Sequence, residues 1–326
     1  MTVTISTPSR LHFGLLRFEQ ARGPSFGGLG MMIAEPRTTV RMAPANEWRN
    51  TGADGERAMA YAQRALDALG SRGVEGPQGI RLDVVELIPA HHGLGSGTQL
   101  ALAVATGVRT LCGLRETNAD ELAAIVGRGR RSAIGCHGFK LGGLLYELGS
   151  LPDESLGRLA KRVDVPREWR IVLVTASHNA GLSGAGEIDA FSQLPPVPGE
   201  TTARLESLAS ASILPAAVRG DLDAFGEALF DYGRLAGECF ASVQGGPYAS
   251  AEIAACVARI RELGVRGVGQ SSWGPTVFAF VENQTRAEAV VANLRATPAW
   301  ANHAMRITSA DNHGADVSAS PNATPI

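Results

Sequence analysis

The chain has 326 residues, of which 44% are hydrophobic, and a formal net charge of −2. That is ample for one large or two ordinary cores and offers no excess positive charge for holding a nucleic acid. Four scattered cysteines (Cys112, Cys136, Cys239, Cys256) contain no CxxC pair, and no apolar run reaches the length of a membrane span, so neither a zinc ribbon, a disulfide framework nor membrane insertion is indicated.

Val3 and Ile5 alternate with polar residues in a first strand. A glycine-rich crossing, RGPSFGGLGMMIAEP, leads to a second strand around Thr38 to Met42, and a helix follows at about Glu56 to Leu69. The alternation of Ile80, Leu82 and Val84 marks a strand entering IPAHHGLGSGTQLALA, and Leu100, Ala101, Val104, Ala105, Val108 and Leu111 give helical spacing beyond it. A helix over Ala119 to Val126 precedes an irregular stretch, GRGRRSAIGCHGFKLGG, and an apolar strand. The seam between two halves falls within Pro152 to Arg170, where a charged helix is expected to end at VPREW. The second half begins with the strand RIVLVTA and continues through helical stretches at about Thr202 to Phe240 and Ala249 to Leu263. A glycine loop feeds a strand of Val277 to Val281, a helix covers Glu288 to Leu294, and a frayed polar tail starts at about Ala315.

The loop between the third strand and its helix carries the chemistry. Gly93, Gly95 and Gly97 remove side chains where a phosphate can approach the backbone, and Ser96 and Thr98 place hydroxyls at a helix start whose N–H groups favour an anion. No lysine follows the last glycine, so this is not a Walker A loop. Lys140 and Lys161 are the only lysines. Arg128, Arg130, Arg131 and Lys140 lie in an interval with no acidic residue between Glu121 and Glu147, a pattern suited to an anionic substrate. The neighbouring His91 and His92 have no third ligand at helical spacing and do not read as a metal pair.

IPAHHGLGSGTQLALA resembles the phosphate loop of the galactokinase, homoserine kinase, mevalonate kinase and phosphomevalonate kinase (GHMP kinase) superfamily. TPSRLHFGLL resembles its N-terminal motif and GVGQSSWGPTVFAF its C-terminal glycine motif. The departure is Gly135, which stands where many of those kinases carry the catalytic aspartate. With RSAIGCHGF and VTASHNAGLSGAGE added, the chain resembles a non-kinase branch, the beta-ribofuranosylaminobenzene 5′-phosphate synthase family.

The resemblance implies an α+β fold of two α/β sandwich domains, residues 1–165 and 166–326, the second ferredoxin-like. It implies condensation of phosphoribosyl pyrophosphate with 4-hydroxybenzoate or 4-aminobenzoate, with loss of pyrophosphate and carbon dioxide, in methanopterin-type cofactor synthesis. Mg²⁺ on the diphosphate, a cytoplasmic location and a homodimer, with neither a nucleic-acid nor a membrane partner, complete the expectation. For substrate it points to Arg10, His92, Gly93, Leu94, Gly95, Ser96, Gly97, Thr98, Arg130, Arg131, Gly181, Ser183, Ser271, Ser272 and Trp273, with Ser96 also as metal ligand. For catalysis it points to His12, His137, Lys140 and Glu187. Two rivals stay open: an ATP-dependent small-molecule kinase with a relocated base such as Asp189 or Asp231, and a module that binds a phosphorylated ligand without turnover.

Overall fold

The structure, a computed structural model, describes residues 1–20, 22–114, 117–175, 191 and 193–320. Two sheets organise it. The first is built on a long antiparallel pair, β1 (Thr2–Leu15) and β2 (Gly28–Ala45), joined by β3 (Arg49–Gly52), β4 (Gly79–Glu86), β5 (Leu144–Glu147), β6 (Leu159–Val163) and β11 (Asp316–Ser320). Its path runs β11-β1-β2-β4-β3, with β5 pairing the free end of β2 and β6 pairing β5.

Helices α1 (Gly55–Gly70), α2 (Ser96–Leu111), α3 (Ala119–Val126) and α4 (Ile134–Leu141) belong to this half. Most of α2 is buried, because it lies between the sheet and α1 and α3; this is why its sequence is apolar nearly all round. Leu100, Leu102, Val104 and Val108 are fully buried there, each stabilising by about 1.5–3 kcal/mol.

The second sheet has the order β10-β7-β9-β8, from β7 (Arg170–Thr175), β8 (Gly267–Gln270), β9 (Thr276–Val281) and β10 (Ala304–Thr308), all pairs antiparallel. This order is the ferredoxin-like one. Its helical layer contains α5 (Gly199–Ser207), a wider π turn at Leu208–Ile213, α6 (Leu214–Arg219), α7 (Leu222–Glu238), α8 (Ala251–Glu262) and α9 (Gln284–Arg295). Leu11, Phe13, Leu29 and Met31 of the first sheet share one core with Phe225, Leu229, Tyr232, Phe278 and Phe280 of the second half, so the seam is a packed interface.

Several expectations are corrected. The second strand begins at Gly28 and not near Thr38, because the glycine-rich crossing pairs with β1 and β5. The stretch expected to be irregular contains α4, whose Gly138 packs against Met32. The charged helix before VPREW is absent: Leu159–Val163 is an edge strand that keeps Lys161 and Arg162 in solvent or at the rim. The tail beyond Ala315 is not frayed where it forms β11, which pairs Thr2 with Ser320 through Ser6 with Asp316. Asp311 and Asn312 anchor that return. Asp311 receives Arg37 at 3.0 Å, while the Asn312 side chain accepts from Val165 N at 3.0 Å and donates to Val165 O at 2.9 Å.

Candidate active site

A cleft of about 820 Å³ opens between the halves. Its floor comes from β1, where an extra residue between His12 and Gly14 breaks the register with β2; such a bulge re-aims side chains. Arg10 and His12 line the cleft, Leu11 enters the shared core, and Phe13 belongs to that core while also lining the cleft.

The glycine loop is laced to this floor. Arg10 N donates to Leu94 O at 3.0 Å, and Ser271 Oγ donates to Gly93 O at 2.7 Å while accepting from His12 N at 3.1 Å. Ser272 N donates to His12 O at 2.9 Å. Gly93 has φ +72°, and a Cβ there would overlap the Ser271 carbonyl oxygen. At Gly97 the neighbours are cationic: a Cβ would overlap Arg57 Nη2 and lie 3.5 Å from Arg128 Nη2, so a side chain there would push the guanidinium groups aside.

Gly95, at φ 77°, is the N-cap of α2 and supplies no side-chain cap, so the N–H groups of Ser96 and Gly97 precede the first i→i−4 bond of the helix. The Ser96 and Thr98 hydroxyls make no hydrogen bond among the described residues. Arg10, Arg57 and Arg128 therefore surround an uncapped helix start, where positive charge and unpaired N–H groups favour an anion.

Arg57 and Tyr61 escaped the sequence reading, since on an amphipathic helix they pass for a solvated face. Arg57 pairs with Asp54 at 3.1 Å, and Arg128 hydrogen-bonds the Tyr61 hydroxyl. Burial alone would lift the Tyr61 phenol, but Arg128 and Arg57 outweigh it and hold it below its usual range.

The C-terminal stop of α3 is Gly127, at φ 65°, which turns Arg128, Arg130, Arg131 and Ser132 along the cleft. Opposite them stands an aromatic wall. Phe240 and Trp273 have centroids 4.8 Å apart, Phe18 and Phe240 4.9 Å, and Phe191 and Trp273 5.7 Å, all edge to face. The two walls meet where the Arg131 guanidinium lies 5.0 Å from the Phe191 centroid. Ser272 closes the corner in a left-handed conformation, φ 55°, its carbonyl accepting from Gln270 Nε2 at 2.7 Å.

Of the residues singled out in the sequence, Arg10, His12, Thr98, Arg130, Arg131, Ser272 and Trp273 line the cleft. Ser271, Gly93 and Leu94 are its bracing; Gly95, Ser96 and Gly97 form the helix start beside Arg10, Arg57 and Arg128. His92 Nδ1 donates to Ala90 O at 2.6 Å and is no part of the cleft lining. Two placements differ from expectation. The His137 ring is held by Gly157 O at 2.8 Å, outside the cleft lining, and Lys140 is exposed near the end of α4. Gly181, Ser183 and Glu187 lie outside the described residues, as does Asp189.

The wall is not wholly free of carboxylates, because exposed Glu19 lines the rim. Asp231 is exposed on α7 and does not line the cleft. Gly135 is buried, and a Cβ there would lie 3.3 Å from Thr98 Cγ2.

Among the described residues no group of three or more His, Cys, Asp or Glu side chains is placed to hold a metal ion, and no helix is long and apolar enough to cross a membrane. Hydroxyls among guanidinium groups suit a magnesium ion already ligated by diphosphate oxygens, not one held by protein carboxylates.

Burial dominates the titration of the floor. His12 is pushed well below its ordinary range by burial and then by Arg10, so it is neutral at neutral pH. Its Nε2 lies 3.1 Å from Ser132 Oγ.

Residues 58–142 match the GHMP kinases N terminal domain and residues 213–299 the GHMP kinases C terminal family. The beta-ribofuranosylphenol 5′-phosphate synthase of Methanothermobacter thermautotrophicus is 31% identical over 302 residues, covering 86% of this chain and 89% of that one. Its namesake in Archaeoglobus fulgidus is 30% identical over 342 residues, covering 96% and 98%. Among solved structures, homoserine kinase from Cytophaga hutchinsonii is similar with a TM-score of 0.70 over 97% of each chain at 16% identity, a likeness of fold alone.

Proposed function

We infer, from a chain that belongs to the beta-ribofuranosylphenol 5′-phosphate synthase family and has the GHMP kinase fold, that it condenses phosphoribosyl pyrophosphate with 4-hydroxybenzoate. The products on this reading are a C-riboside 5′-phosphate, pyrophosphate and carbon dioxide, and the role it assigns the enzyme is in methanopterin-type cofactor synthesis. The relatives' names specify a phenol, which favours the hydroxy acid over 4-aminobenzoate. The observation that carries the reading is the two-sided cleft: a cationic helix start on one side and an aromatic wall on the other, joined at Arg131 and Phe191.

The bonds change as follows. The ribose C1–O bond breaks and its electron pair leaves with pyrophosphate. A ring pair, pushed by the para oxygen, forms the C–C bond at the carbon that bears the carboxylate. Loss of carbon dioxide returns the C–COO pair to the ring and restores aromaticity.

The N–H groups of Ser96 and Gly97, with Arg10, Arg57 and Arg128, hold the departing diphosphate where its charge grows. Magnesium bound with the diphosphate would neutralise part of that charge, and Ser96 Oγ is the hydroxyl of the helix start that would hold it. The wall of Phe18, Phe191, Phe240 and Trp273 packs the benzoate ring and excludes water from the electron-poor ribose carbon; Arg131 and Arg130 grip an anionic group at the junction. His12, neutral on the floor, accepts the para-hydroxyl proton and later returns it to the product oxygen.

Among the described residues no base for phosphoryl transfer stands in the expected place, because the residue at 135 is glycine and Asp231 does not line the cleft. The test is incubation with phosphoribosyl pyrophosphate, Mg²⁺ and each carboxyl-labelled benzoate, trapping carbon dioxide. Release from the hydroxy acid supports the assignment. Release from neither acid overturns it, and ADP formation from ATP with an alcohol acceptor would replace it by a kinase.

A further inference from the structure

Behind the cleft wall lies an acid that the reaction above leaves idle. Glu147, the last residue of β5, is fully buried. Its Oε2 accepts from Ala133 N at 2.6 Å, and the neighbouring Ser132 hydroxyl is among the groups that pull the carboxyl down against burial. Its Oε1 has no hydrogen-bond partner among the described residues. Ser132 Oγ stands 3.1 Å from His12 Nε2. His12 and Ser132 line the cleft and Glu147 does not, so the three form a chain running from the cleft into the protein.

One hydroxyl proton decides the polarity of this chain. Ser132 Oγ accepts from Ile134 N at 3.3 Å; beside an ionised carboxylate, which only accepts, its hydroxyl proton turns toward Glu147 and leaves a lone pair for His12. Nε2 must then carry the imidazole hydrogen, which leaves Nδ1 bare. No hydrogen bond to Nδ1 exists among the described residues.

We propose that Glu147 is a positioning residue that, through Ser132, fixes His12 as the Nε2–H tautomer and so presents an unprotonated Nδ1 to the substrate. The proposal rests on the reading of the cleft as the benzoate site. In the step it serves, the phenolic O–H breaks, its proton goes to Nδ1, and its electron pair feeds the ring that attacks ribose C1. Capping the N-terminus of α4 through Ala133 explains one carboxylate oxygen, but not the serine and histidine aligned on it.

The charged and titratable groups facing this chain are Arg10 of β1, Cys136 of α4 and Tyr232 of α7. Burial pushes the Glu147 carboxyl up to about 7, against the opposing pull of Ser132, Ala133 and Arg10. Below that pH a protonated Glu147 can donate to Ser132, and the chain can reverse.

Nitrogen-15 NMR of the imidazoles tests this in the ligand-free protein, with the His12 signal identified by its loss in His12→Gln. At about pH 8 the wild type should show His12 as Nε2–H. Glu147→Gln, whose amide can donate to Ser132, should move it to Nδ1–H; Ser132→Ala, which removes the acceptor, should leave a mixture. Both variants should lose about ten- to a hundredfold in kcat with KM for phosphoribosyl pyrophosphate within about twofold. An unchanged His12 tautomer in both variants overturns the proposal. If the tautomer moves but the wild type releases no carbon dioxide, the synthase reading fails while the Glu147–His12 coupling stands.

Discussion

The charge on Glu147 has a thermodynamic signature independent of any substrate. Its carboxyl titrates near 4.5 in an unfolded chain and at about 7 when folded, because burial outweighs the opposing pull of Ser132, the Ala133 N–H and Arg10. Between those values the folded protein holds a proton that the unfolded chain has lost, so rising pH weakens the fold. The full displacement corresponds to about 3 kcal/mol, of which about 2 kcal/mol falls between pH 5 and pH 8. His12 acts in the opposite sense: its folded form resists protonation, so its contribution is lost as pH falls through the unfolded value of 6.5. Making the comparison in a His12→Gln background, with and without Glu147→Gln, removes the His12 effect, which the coupling of the two residues would otherwise mix in. Urea unfolding at about pH 5 and pH 8 should show the double variant gaining about 2 kcal/mol on His12→Gln alone between the two conditions. A difference that stays flat within about 0.5 kcal/mol would refute a buried carboxyl that ionises near neutrality.

Trp273→Ala opens the aromatic wall and should raise KM for 4-hydroxybenzoate about tenfold, with KM for phosphoribosyl pyrophosphate nearly unchanged in initial-rate assays. Ser96→Ala should lower kcat/KM about tenfold at limiting magnesium and recover at high magnesium, with an unaltered melting curve. Asn312→Ala releases two hydrogen bonds to Val165 and should cost about 1–3 kcal/mol in urea unfolding while leaving the affinity for pyrophosphate intact.

The parts of the fold that were legible in the sequence are those where side-chain burial and local backbone agree. The glycine loop could be placed because three glycines interrupt a strand-to-helix transition, and α2 because its apolar residues follow the helical period. Leu159–Val163 was misread because an edge strand defended by Lys161 and Arg162 has the composition of a solvated helix. Asp316–Ser320 has no buried side chain, so its strand character comes wholly from backbone pairing with β1 and leaves no periodic trace. In the site, the first motif and the arginine run pointed to residues that lie along the cleft. Glu147 was invisible for a different reason: one acid ending an apolar strand has no spacing to betray it, and its partners Ser132 and His12 come from distant segments. Arg57 needed the packing of α1 against the start of α2, which no linear pattern reports.

Because β11 covers β1 from Thr2 to Ser6, two strands separated by roughly 300 residues of chain are neighbours. On a ribosome adding about 5–20 residues per second, the edge of β1 stays open for some tens of seconds before its cover emerges. During that interval a strand of another nascent chain competes for the same backbone groups, and the hazard ends only when Asp316–Ser320 arrives. Expression yield should therefore respond to elongation rate and to chaperones that shield strand edges, and a chain shortened before Asp316 should aggregate although it has lost no buried side chain of that strand.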